Sequence, residues 1–173
     1  MIHRLVSERS KIRIRTFAEG LLARLAHDLE LECRSLEGEA TLEDGRVEGR
    51  IAFPVGGIEV SGTLRNGVLD PAGLSTSERR DCLAKMRAEV FRADQGTVRV
   101  VATSSGTASI TLPDGRALCQ QVTLAVDLER AHGSLELALS ALGVDPIKGP
   151  MNAFRVRDRL LVLFDLVFVG SDQ

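Results

Sequence analysis

Apolar and polar residues alternate with a period of two along most of this chain, and each such run reads as a strand with one face on a core. In Lys11–Phe17, Ile12 and Ile14 oppose Arg13 and Arg15; further on, Leu29, Leu31 and Cys33 oppose Glu30, Glu32 and Arg34. Strands are expected again at Glu39–Leu42, Val47–Phe53, Ile58–Leu64, Thr97–Thr103, Ala108–Leu112, Gln121–Leu128 and Leu135–Leu139. The pairs Asp44-Gly45, Asn66-Gly67 and Asp114-Gly115 supply hairpin turns, because a tight turn needs positive φ at its centre. The last run, Phe154–Val169, is different. Leu160, Val162, Phe164, Leu166 and Phe168 form one side, while Leu161, Leu163, Val167 and Val169 form the other. A strand that is apolar on both faces is covered on both.

One long segment leaves this period. In Leu74–Phe91 the apolar residues Cys82, Leu83, Met86 and Val90 recur at spacings of three and four, which lines one face of a helix. Ser75 followed by Glu78 has the spacing of a capping box, so a principal helix is expected over Ser77–Arg87. After the break at Gly20, Leu21, Leu22 and Leu25 have helical spacing over a turn or two. The pattern therefore predicts a mainly β domain with one principal helix, of about eight strands joined by short antiparallel connections. Such a sheet closes or folds over to hide its edges. A barrel of about eight strands is either filled by side chains or holds one small ligand. No linker or repeat divides residues 1–173, and the core spans about residues 11–169.

Composition narrows the function classes. The formal charge is -2, from 22 basic and 24 acidic residues, so nothing draws the chain to nucleic acid. Aromatics are 3% with neither Trp nor Tyr, so the core is aliphatic. Cys33, Cys82 and Cys119 show no CxxC or zinc spacing and read as reduced thiols of a cytoplasmic protein. The segment MIHRLVSERSKIRIRTF lacks the apolar run of a signal peptide, and no stretch is long enough for a transmembrane segment.

Candidate chemistry is sparse. His27-Asp28 is the most suggestive pair for acid–base work, and its plainer reading is a hydrogen-bonded histidine at a junction. His3 falls in a frayed end and His132 in a turn. Asp81 and Cys82 lack the short ligand pair that a metal site needs. Arg13/Arg15 and Arg155/Arg157/Arg159 each project a row of guanidinium groups, suited to a phosphate headgroup or, more simply, to a solvated face.

The Arg24–Leu31 segment RLAHDLEL, the helix with Arg80-Asp81-Cys82-Leu83 and Met86–Phe91, and the following strand Thr97–Ser104 together resemble the YceI-like family. The resemblance runs over about Lys11–Val169, with His27 placed where the family often carries a histidine. It departs at Arg92–Gly96, where relatives often have a Pro and an aromatic residue, at the short Ser105–Arg116, and in showing no export signal. The resemblance implies an antiparallel, lipocalin-like barrel that takes a polyisoprenoid or related lipid into a long cavity. Phe17, Leu21, Leu22, Leu25, Leu83, Met86, Val90 and Phe91 are then the expected ligand contacts, with His27 as a candidate polar site residue. The expected function is non-enzymatic binding or carriage of an apolar ligand (a polyisoprenoid, quinone tail or fatty-acyl chain), with no cofactor, metal or catalytic residue. The alternatives are a small-molecule enzyme using His27 with Asp28, or an assembly module with a filled barrel. The two apolar faces of Phe154–Val169 suggest a homodimer.

Overall fold

The computed structural model describes residues 2–20, 26–43, 46–127 and 129–170. Among them the chain forms β1 (Ile2–Leu5), β2 (Lys11–Glu19), β3 (Asp28–Cys33), β4 (Glu37–Glu43), β5 (Arg46–Pro54), β6 (Ile58–Arg65) and β7 (Val68–Asp70). The helix α1 (Thr76–Met86) follows, and then β8 (Thr97–Thr103), β9 (Thr107–Thr111), β10 (Ala117–Gln121), β11 (Thr123–Asp127), β12 (Arg130–Leu137) and β13 (Arg155–Gly170). The architecture is a curled antiparallel sheet with one helix, as the alternation predicts. The strand order is β10-β9-β8-β5-β4-β1-β13-β2-β3-β6-β7.

β13 is the spine of this sheet. Along one edge it pairs with β2 over Arg155–Asp165 and with β1 over Phe168–Gly170. Along the other edge Leu160–Val167 pairs with β12, which carries β11 on its far side. β1 and β2 therefore lie in line along one edge of β13, parted by a 3-10 turn at Ser7–Arg9. From this break the sheet divides. β1 passes to β4 and the limb that ends in β10, whereas β2 passes to β3 and the limb that ends in β7.

Among the described residues there are thirteen strand segments, where the alternation gives about eight, and such interruptions account for part of the difference. β1 itself lies outside the alternating runs, and His3 sits in it, paired between β4 and β13 rather than in a frayed end. The run expected at Gln121–Leu128 is cut at Val122, whose N–H turns to the Gly106 carbonyl at 2.9 Å. Val122 and Leu124 then face the interior, but Val126 is 39% exposed. His132 lies within β12, opposite Asp165, rather than in a turn. The Asn66-Gly67 hairpin is formed with φ of 51° and 78°. The Asp44-Gly45 turn lies outside the described residues, while the strands around it pair from Glu37/Ala52 to Glu43/Arg46.

α1 begins as its sequence dictates. The Glu78 N–H donates to Ser75 Oγ at 3.2 Å, and the Ser75 N–H donates to Glu78 Oε2 at 2.7 Å. Its apolar residues Cys82, Leu83 and Met86 are half-buried against the core, and the helix packs on β6. Arg79 fastens it there, donating through its two terminal nitrogens to the Val60 and Pro71 carbonyls. A single wide turn, Arg87–Phe91, ends the helix at Arg92, whose φ is 52°. No helix among the described residues is long and apolar enough to cross a membrane.

Candidate functional site: an apolar cavity inside the curl

The sheet curls around a cavity of about 160 Å3 whose wall is apolar throughout. β5 contributes Ile51 and Phe53, β8 contributes Val98 and Val100, and β9 contributes Ala108 and Ile110. β12 adds Leu135 and Leu137. β13 supplies Leu160, Val162, Phe164, Leu166 and Phe168, the five residues that its alternation places on one face. This follows from strand geometry, since residues two apart share a face. An apolar space of roughly 150 Å3 is large enough for a benzene-sized group. The cavity can therefore hold an apolar molecule or part of a chain, and among the described residues its lining offers neither a nucleophile nor a titratable group.

The expected contact residues separate on this geometry. Val90 and Phe91, in the turn after α1, are part of the wall, and Phe91 is buried. Leu83 and Met86 pack against the core without lining the cavity, because α1 lies over β6, on the limb away from it. Phe17 on β2 is half-buried and also outside the wall, to which β2 gives Ile12 and Ile14. Leu21, Leu22 and Leu25 lie outside the described residues. Most of the wall belongs instead to strands singled out only as core. The period of two marks those positions correctly, but a core face and a cavity face have the same signature.

The polar candidates lie away from the cavity. His27 is exposed near the start of α1, where the Glu78 carboxyl is held below its usual range chiefly by its hydrogen bonds from Ser75. Asp28 is engaged in structure, its Oδ1 accepting the Ala18 N–H at 2.9 Å. Glu19 pairs with Arg155 at 2.5 Å and Arg157 at 3.7 Å. Arg159 pairs with Glu136, and Arg15 with Glu30 at 2.9 Å. Arg15, Arg155, Arg157 and Arg159 are thus matched by acids on neighbouring strands. The Glu136 carboxyl is held below its usual range mainly by its hydrogen bond from Arg159. Cys33 is buried, which pushes its thiol up to about 12, with Glu32 adding to the effect. Cys82 is half-buried and its thiol is also raised, chiefly by burial; Cys119 is exposed, and none of the three is in a disulfide.

One end of the cavity is built differently. Val90, Phe91, Leu112 and Leu142 are wall residues there that belong to no strand; Val122, also outside the strands, lies at the other end of the β9–β10 hairpin beside Gly106. Arg116 gathers several of these segments. Its Nη2 donates to the Val90 carbonyl at 2.5 Å, its Nη1 to the Leu142 carbonyl at 2.7 Å, and its Nε to Asp114 Oδ2 at 2.6 Å. Its own carbonyl accepts the Leu112 N–H at 2.8 Å. Nearby, Arg92 Nη2 donates to the Gly143 carbonyl at 2.9 Å.

No protein-family model matches the chain, and no curated protein does. A solved structure is similar to it: Burkholderia cenocepacia BcnA, at 14% identity, with 94% of this chain and 98% of that one covered and a TM-score of 0.59. At that identity the likeness concerns the fold alone, and the fold the two share is a curled, mainly β antiparallel sheet.

Proposed function

We propose that this chain is a YceI-like binder or carrier of an apolar, lipid-like molecule, a polyisoprenoid, quinone tail or fatty-acyl chain, held without chemical change. The observation that carries the reading is the wholly apolar wall of the 160 Å3 cavity. Each CH2 moved from water into such a space contributes about 0.8 kcal/mol, so an aliphatic segment binds with few polar contacts. A cavity of this size takes a short length of chain, and a long isoprenoid enters only if the curl widens. Organic extraction of purified protein followed by mass spectrometry tests the reading. A co-purified lipid at near-stoichiometric yield supports it. Protein that carries no lipid and takes up none from a fatty-acid or isoprenoid probe leaves the filled assembly module in its place.

Two finer points belong to this proposal. The three free thiols fit a reducing compartment such as the cytoplasm. A homodimer would use the outward side chains of β13, where Val169 is 39% exposed. Leu161 and Leu163 are half-buried in register with Arg15 and Arg13, whose aliphatic stems are suited to covering them, so little apolar surface there calls for a second copy. Light scattering at several concentrations separates a dimer from the 18.7 kDa monomer.

A further inference from the structure

The cavity wall consists of two kinds of backbone. Most of it is strand, and parting two paired strands there means breaking the ladder of hydrogen bonds between them; among the described residues β10 and β12 touch without such a ladder, and the turn Ser140–Leu142 lies against β10 at that seam. The remainder of the wall is Val122, at the far end of the β9–β10 hairpin, and the non-strand set of Val90, Phe91, Leu112 and Leu142 near Arg116. Segments with few ladder bonds open at lower free energy than the sheet around them. The turn Arg87–Phe91 hangs from the end of α1 and closes at Arg92. The turn Ser140–Leu142 is anchored at its start, where the Ser140 N–H donates to Asp158 Oδ1 at 2.7 Å, and turns away at Gly143 with φ of 69°. What joins these two turns to each other and to the β9–β10 connection is side chain: Arg116, assisted by Arg92.

We infer that Arg116 is the latch of a port, and that an apolar ligand enters and leaves the cavity where Val90 and Leu142 part. Arg116 suits this role because its planar fork reaches three partners at once while its stem stays partly buried, its side chain being 19% exposed. Two of the partners are backbone carbonyls, and water can replace Arg116 at both when the turns swing apart. Releasing the latch therefore costs far less than parting two strands. The inference rests on the ligand-binding reading above and adds where the ligand passes and which residue limits its rate.

The test compares wild type with Arg116→Met, which keeps most of the stem and removes the donors, and with the milder Arg92→Met, which loses one exposed hydrogen bond. Stopped-flow fluorescence with N-phenyl-1-naphthylamine, a neutral probe that brightens in apolar surroundings, gives association and dissociation rates. Both rates rise together in Arg116→Met, by about tenfold, the factor that 1.4 kcal/mol of lost latch produces, and Kd changes little. Arg92→Met gives a smaller rise of the same kind and keeps the test open should Arg116→Met not fold. Hydrogen exchange without ligand speeds up in residues 87–92 and 140–143 while the β13 amides stay protected. Failure of the wild type to bind the probe removes the ligand-binding reading itself. Binding with unchanged rates and unchanged exchange in both variants leaves that reading standing and overturns the port. A rise in dissociation alone, with Kd weakened in proportion, assigns Arg116 to holding the bound state and likewise overturns it.

Discussion

The Val167 N–H donates to the side-chain oxygen of Ser10 at 2.9 Å, across 157 positions of sequence. Ser10 thereby stands in for a missing strand residue. Between β1 and β2 the chain makes a 3-10 turn, and β13 passes this gap without a backbone acceptor opposite Val167. The hydroxyl also donates to the Val6 carbonyl at 2.8 Å, so one atom mends both sides of the break.

Ser10→Ala removes this patch in a buried site. A buried N–H left without an acceptor costs about 1–3 kcal/mol, and at this chain length each kcal/mol lowers Tm by about 2–4 °C. Thermal denaturation followed by circular dichroism reads the loss. A variant as stable as the wild type would mean that water reaches Val167 once the hydroxyl is gone.

Glu30 is 3% exposed, although the alternation of β3 places it on the face opposite Leu31. The register of β3 against β6 shifts between these two residues, and Arg15 holds the buried carboxylate at 2.9 Å. Removing one partner of a buried pair costs on the order of 3 kcal/mol, because the other charge stays buried. Arg15→Met is therefore expected to lower the urea midpoint strongly, and adding Glu30→Gln should recover much of it. A double variant no better than Arg15→Met alone would assign the loss to packing of the arginine stem.

Ala108 lines the cavity and is 2% exposed. Ala108→Val adds methyl groups to empty apolar space on a strand that favours β-branched residues. The expected result is a modest gain in Tm together with weaker probe binding. Unchanged probe affinity in the folded variant would place the bound molecule away from β9.

Several carboxyls sit below their usual values in the folded protein: Asp165 through hydrogen bonds from Arg130, Asp158 through those from Ser140, and Glu136 through Arg159. The unfolded chain then binds protons more readily than the folded one. The stabilisation is complete above the ordinary values of 3.8 for Asp and 4.5 for Glu, and is lost as pH falls through the lower folded values. Urea midpoints are expected to be level around neutral pH and to drop in acid below these values. A midpoint that holds in strong acid would show that these pairs contribute nothing.

Much of this structure is legible in the chain because it is local. The Ser75–Glu78 capping box needs four consecutive residues, and the Asn66-Gly67 turn needs two. The five inward residues of β13 need only the period of two. What is hidden depends on distant partners. The break repaired by Ser10 is set by Val167, and the burial of Glu30 by a bulge and by Arg15. The helix stripe says that Leu83 and Met86 will be covered, but not that β6 covers them while Val90 and Phe91 reach the cavity. Arg116, the residue that closes the cavity end, carries no motif at all. Its significance lies in two carbonyls, each 26 positions away in sequence.

The spine strand also imposes an order on assembly. β13 is made by the ribosome after every strand it pairs with, yet it bridges β1, β2 and β12 and supplies five residues of the interior wall. Until it emerges, β1 and β2 lack the edge that aligns them, and the two limbs of the sheet have no common member. Pairings this remote in sequence form slowly, because the intervening chain must be closed before any contact is gained. The nascent protein thus spends most of its synthesis with open strand edges and an uncovered aliphatic surface, the condition in which chaperones engage a chain.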